Sequence, residues 1–360
     1  MNAPGTPASL LPSLPPQARI LIVRLRSIGD IVLLTPALHL LKNWRPDLRV
    51  TVLIEDRFRD LLEDNPDVDE VLQLHAGQGW ENVLSRLRMV RELRRREFSV
   101  CLNLHGGPTS AYLTAASGAR WKLGFHHFRT RWAYHLLVPD ARKFLGQEDI
   151  HTAELQAAAL VWFGMPRTEV PAARLFVRPA HAAWWREWRA QSGLAPNRDY
   201  ALLNPAVRRE TEQWPPERFA RIGAYLQNEG GLLPLYHGGP GESSVLDAVE
   251  RAAGASILRL QDASLGQLAA ALEGARLFVG NDSGPAHMAA ALARPSVVIF
   301  SSLSPKIWGP WPPQGPGHYV QNPFECSPCP GYRCHRFERP ECILSVTVEQ
   351  VIETIKNVLA

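Results

Sequence analysis

In a parallel α/β fold, the residues just after a strand, where the next helix opens, face the ligand. The stretch RILIVRLRSIGD, residues 19 to 30, ends in such a position, with Asp30 in the first turn after an apolar strand. A carboxylate there acts as a general base if an incoming hydroxyl lies within hydrogen-bond reach. The same residue also suits the positive end of a helix dipole as an ordinary first-turn acid. A second turn of this kind is LFVGNDSGPAH, residues 277 to 287, where Asp282, Ser283 and Gly284 precede Pro285 at a helix start and His287 follows one turn in. The first N–H groups of a helix have no partner inside it and receive anions such as a diphosphate. Ser283 as an N-cap, Asp282 as a turn acid and His287 as a packed histidine are the plainer readings.

Further cations and carboxylates follow predicted strands of the second half. Arg208 and Arg209 lie in PAVRRETEQWPPERF, suited to clamping a phosphate, and Glu242 closes HGGPGE, where a carboxylate can accept from ribose hydroxyls. Solvated loop charges and a bare glycine turn are the alternatives. Cys326, Cys329, Cys334 and Cys342 stand at C-x2-C-x4-C-x7-C with His335 adjacent. Thiolates so spaced can hold a structural zinc, with reduced thiols or local disulfides as alternatives. Cys101, inside an apolar run, reads as core. A helix carrying Arg86, Arg88, Arg91, Arg94, Arg95 and Arg96 reads either as a solvated face or as one drawn to an anionic membrane surface.

These residues need a scaffold, and the chain supplies two. At 360 residues it suits two domains, and 46% hydrophobic against 21% charged residues allows each a core. The net charge of +4 argues against a dedicated nucleic-acid binder. Only Lys42, Lys122, Lys143, Lys306 and Lys356 are lysines, so nearly every cation is an arginine, the better bidentate partner for phosphate. No apolar run reaches the ~20 residues of a membrane span, and the first 17 residues lack a signal-peptide pattern. A reducing cytoplasmic location, peripheral at the inner membrane face, is expected.

Strand-like runs alternate with helical ones: RILIVRL, RVTVLIE, DEVLQLH and FSVCLNLH in the first half, then DYALLNP, GLLPLYH, ASILRL, RLFVG and SVVIF in the second. This predicts doubly wound parallel sheets. The expected organisation is a disordered tail over 1–17, a Rossmann-like acceptor-side domain over 18–178, and a nucleotide-sugar-binding Rossmann-like domain over 179–345. A terminal helix over 346–360 is given the option of packing back on the first domain. Two such domains would face each other across a cleft. The absence of G-x-G-x-x-G weighs against a nicotinamide dehydrogenase.

The stretches ILIVRLRSIGDIVLLTPAL, NPDVDEVL, SGARWKLGF, WPPERFA, HGGPGE and LFVGNDSGPAHMAAAL resemble glycosyltransferase family 9, the lipopolysaccharide heptosyltransferases. The resemblance runs over about residues 19 to 355. It implies the GT-B fold and an inverting transfer, with heptose moving from ADP-heptose to a lipid-linked core saccharide or related glycan. It further implies Asp30 as base, Asp282 at the donor sugar, Ser283, Gly284 and His287 at the diphosphate, and Glu242 at the ribose. No cofactor is expected in catalysis. Two places depart from the family pattern: Glu212 stands where a lysine is usual, and Ser301, Ser302, Leu303 and Ser304 replace a Gly-Pro-Thr-Asp turn. A glutamate there would repel a diphosphate, so either Arg208 or Arg209 is expected to take the lysine's place, or the donor or activity differs. A GT-B-like nucleotide-sugar epimerase and a non-catalytic nucleotide- or glycan-binding relative are the alternatives.

Overall fold

A computed structural model describes residues 7–75, 77, 79–312, 315, 317–329 and 332–360. The chain divides into two units, Met1–Arg174 and Leu175–Ala360, against an expected boundary after 178. In the first unit the strands are β1 (Arg19–Val23), β2 (Arg49–Glu55), β3 (Glu70–Leu74), β4 (Val100–Asn103), β5 (Trp121–Phe125) and β6 (Leu136–Val138). They lie in the order β3-β2-β1-β4-β5-β6, and every pair is parallel. The central strand is a continuous apolar run because helices cover both its faces: Ile20, Leu21, Ile22 and Val23 are all fully buried. Each such side chain contributes about 1.5–3 kcal/mol of transfer free energy.

The second unit repeats the plan with β7 (Tyr200–Asn204), β8 (Leu233–Gly238), β9 (Leu258–Gln261), β10 (Leu277–Asn281), β11 (Ser296–Ile299) and β12 (Gly317–Val320). Their order, β12-β11-β10-β7-β8-β9, is again wholly parallel. In each sheet the chain winds outward from its first strand and then returns to that strand's other side. The reversals therefore fall between β1 and β4 and between β7 and β10, the positions at which doubly wound sheets take their ligands. The terminal helix Val348–Leu359 starts from a capping box on Thr347 and packs on β11, β12 and helix Pro216–Asn228, burying Val351 and Ile355 inside the second unit.

The expected disordered tail is ordered over residues 7–17, while residues 1–6 lie outside the described residues. Leu10, Leu11 and Leu14 are buried, and the Leu11 N–H donates to the Phe163 carbonyl at 3.0 Å. The Arg45 guanidinium donates to the carbonyls of Leu11 and Leu14 at 3.1 and 3.0 Å. Gly164, at φ +109, lets the segment come this close, since a Cβ there would lie 2.2 Å from the Ala8 carbonyl oxygen. Three leucines spaced to reach one surface outweigh the Pro- and Ser-rich composition that suggested disorder. Among the described residues no helix is long and apolar enough to cross a membrane.

Candidate functional site

In the first unit the site begins at the carboxyl end of β1. The helix Ile28–Val32 is capped by Ser27, and Asp30 at its third position closes a capping box. Asp30 Oδ2 accepts from the Ser27 N–H at 3.2 Å and from Ser27 Oγ at 3.1 Å, while Oδ1 is paired with the Arg24 guanidinium. A carboxylate offers about four lone-pair positions, and these contacts use three, leaving one on Oδ1 for a further donor. Asp30 therefore caps its helix, as the plainer reading expects, with one lone-pair position not taken by these contacts. The Gln156 side-chain amide donates to the Asp30 carbonyl at 3.2 Å and pins the helix start.

The loop leaving β4, across the reversal from β1, adds a residue that sequence reasoning missed. His105 lies within electrostatic reach of Asp30, Arg24 and Arg26, and burial together with these two arginines pulls its pKa below the usual histidine value. Its backbone N–H is held by Asn103 Oδ1 at 2.9 Å, and Gly106 follows at φ +76. The signal was present in the sequence as a strand ending in HGGP, the same pattern that marked the turn after β8.

In the second unit, the turn after β10 rests on a buried polar network. Asn204, the last residue of β7, donates through Nδ2 to the Ala206 carbonyl at 2.9 Å and to Ser283 Oγ at 3.3 Å. Its Oδ1 faces His237 Nδ1 at 2.7 Å. Those amide contacts fix which atom is oxygen, so His237 carries its proton on Nδ1. Burial pushes the His237 pKa down to about 4, which keeps the ring neutral. Asn281 accepts from the Trp214 N–H at 3.2 Å and donates to the Pro205 carbonyl at 2.7 Å. The loops after β7 and β10 are thereby bound to each other beside the N-terminus of helix Gly284–Ala291, whose cap is Ser283. His287 is buried one turn in. Glu242 Oε2 accepts from the Gly239 N–H at 2.8 Å and closes the turn after β8. Asn204 and His237 were not singled out beforehand, because their partner is another strand end.

Glu212, the departure from the family pattern, does not stand as an open negative charge. It is buried, and its Oε1 accepts from Arg209 at 2.9 Å. Burial pushes its carboxyl above the usual glutamate range, against the pull of Arg209 and Arg208. Asp282, close enough to feel Glu212, is pushed up to about 8, first by burial and then by that neighbouring carboxylate. Asp282 is thus held toward its neutral form, and Glu212 is paired with Arg209, with Arg208 beside them as a second cation. Both arginines hydrogen-bond Tyr332, and the Arg209 guanidinium lies 4.8 Å from the Tyr332 ring centroid. Tyr332 belongs to the cysteine-rich segment, which is also tied to Ser302 by a hydroxyl bond to the Cys329 carbonyl at 3.3 Å.

All five cysteines are free thiols. Cys326 and Cys334 lie near enough to Cys342 to add to the effect of burial in raising its pKa. Among the described residues no group of three or more His, Cys, Asp or Glu is arranged to hold a metal ion. Cys101 is fully buried in β4, as expected.

The family model described as glycosyltransferase family 9 (heptosyltransferase) matches residues 86–337. The chain belongs to glycosyltransferase family 9. Among its curated relatives is lipopolysaccharide heptosyltransferase 3 of Escherichia coli, 24% identical over 298 residues, or 80% of this chain and 84% of that one. Among solved structures, a family 9 glycosyltransferase from Veillonella parvula aligns with a TM-score of 0.80 at 22% identity, covering 95% of this chain and 97% of its own. The E. coli ADP-heptose lps heptosyltransferase II aligns at 0.76 and 18%, covering 95% and 98%. The fold is GT-B, with one Rossmann-like sheet in each unit, and this family 9 protein is a glycosyltransferase.

Proposed function

We propose that this family 9 glycosyltransferase moves a heptose from ADP-heptose to a lipopolysaccharide core or related lipid-linked glycan, with inversion and with Asp30 as general base. The observation that carries the reading is the placement of the two residue groups. Asp30 and His105 leave the strands that flank the reversal in one sheet, and Arg208, Glu212, Asp282 and Ser283 follow those that flank it in the other. The donor and acceptor themselves are carried by family membership and by the relatives' names.

In this reading the acceptor hydroxyl hydrogen-bonds the remaining position on Asp30 Oδ1 and gives up its proton there as its oxygen attacks the anomeric carbon. The bond from that carbon to the diphosphate breaks, through a transition state of oxocarbenium character. Negative charge then grows on the departing diphosphate, where the helix start at Ser283 and Gly284 and the Arg208 guanidinium stabilise it. Protonated Asp282 donates a hydrogen bond to the donor, and Glu242 and His287 border the nucleotide.

Asp30→Asn keeps the size and loses the base. Isothermal titration with ADP should be unchanged, while transfer falls by about 100-fold or more. Near-normal transfer in this variant removes Asp30 from the chemistry.

A further inference from the structure

The helix Gly79–Arg95 of the first unit buries only Met89 and Leu93. On its opposite side, at spacings of three and four residues, Trp80, Val83 and Leu87 are 70%, 41% and 51% exposed. With 100° per residue, the same outward stripe continues into Arg91 and Arg94, flanked by Arg88 and Arg95, all exposed. Arg86 is held by Thr109, Arg94 by the Ala116 carbonyl, and Arg96 by Glu70 and Glu92. Arg88, Arg91 and Arg95 make no ion pair among the described residues. Of the helix's acids, Glu92 is paired with Arg96, and Glu81 sits in the first turn.

A solvated helix face does not need a tryptophan, a valine and a leucine in line, and a core-packing face would not leave them in water. An indole and two aliphatic side chains at one end of a stripe, with unpaired guanidiniums at the other, match a bilayer boundary carrying negative headgroups. We propose that this face docks the enzyme on an anionic lipid surface, with Trp80, Val83 and Leu87 entering the headgroup region and Arg88, Arg91 and Arg95 contacting lipid phosphates. The proposal deepens the reading of a lipid-linked acceptor but needs neither donor nor acceptor to be tested, so its failure leaves Asp30 and the transfer reaction untouched.

The test is co-sedimentation of the full chain with vesicles of phosphatidylcholine alone or mixed with phosphatidylglycerol. Wild type pellets with the mixed vesicles and stays in solution with the neutral ones. Arg88→Gln, Arg91→Gln and Arg95→Gln together lower the partition by roughly 100-fold. Trp80→Ser with Leu87→Ser keeps every charge and lowers it by about tenfold, whereas Tyr319→Ser, at an exposed aromatic of the second unit, leaves it unchanged. Circular dichroism confirms that each variant is folded. Equal binding to both vesicle types, binding to neither, or wild-type binding by the Trp80–Leu87 variant overturns the proposal. So does a wild-type oligomer in gel filtration that the same variant dissociates without any vesicle binding, since the face then joins copies of this chain.

Discussion

Arg209 and Glu212 form an ion pair at 2.9 Å, so the carboxylate that replaces the family's usual lysine is neutralised by its own loop. The repulsion expected from Glu212 is therefore offset by Arg209, and in the proposed reading Arg208, the more exposed of the two arginines, is the one left for a phosphate.

The two arginines should accordingly fail in different ways. Arg208→Ala should raise the KM for a nucleotide-diphosphate sugar by about 10- to 100-fold, the loss of a charge-assisted hydrogen bond, with little change in melting temperature. Arg209→Ala leaves Glu212 buried without a partner and should cost about 1–3 kcal/mol in urea unfolding. The double change Arg209→Ala with Glu212→Gln should recover part of that loss. Equal effects of Arg208→Ala and Arg209→Ala on stability would contradict the assignment.

Tyr332 holds both guanidiniums from a segment distant in sequence. Tyr332→Ala should raise donor KM about three- to tenfold while kcat changes little, since an exposed cation–π contact contributes about 0.5–1 kcal/mol and the hydroxyl bonds add to it. Tyr332→Phe, which keeps the ring, should lie between wild type and the alanine variant.

Asp282 gives a pH signature. Its carboxyl is protonated in the folded state up to about 8, whereas the ordinary value is 3.8, so the unfolded chain releases this proton first. The stability from keeping it neutral is complete below pH 3.8 and is lost as pH rises toward 8. The stabilisation of Asp282→Asn over wild type should therefore grow across this interval and level off above it. Urea melts at a series of pH values measure this difference, and a gap that stays flat or shrinks with rising pH would refute it.

His237 has the opposite sense. Its pKa is depressed from 6.5 to about 4, so its contribution is present above pH 6.5 and fades as pH falls toward 4. Asn204→Ala removes the partner of both His237 and Ser283 and should cost about 1–3 kcal/mol in the same melts. A neutral outcome would mean that the network does not support the turn.

Much of the scaffold was legible because it is written over short spans. Continuous apolar runs such as RILIV gave the central strands, and NDSGPAH and RSIGD marked helix starts by their own turn residues. The Cys101 burial and the alternating α/β order followed from the same local signals. The ordered segment 7–17 was misjudged because its partners, Phe163, Gly164 and Arg45, lie far along the chain.

By itself, the sequence determined the two parallel sheets, the family, and the two turns where Asp30 and Asp282 stand. Only the tertiary structure decided that Glu212 is paired, that Tyr332 grips Arg208 and Arg209, that His105 joins Asp30, and that Asn204 and His237 lie beneath Ser283. Periodicity and turn chemistry act within about ten residues, so they are visible in one dimension. Ion pairs and buried networks join strand ends whose adjacency is set by the order in which the sheet is wound, and their pKa shifts arise from burial that no single stretch of sequence contains.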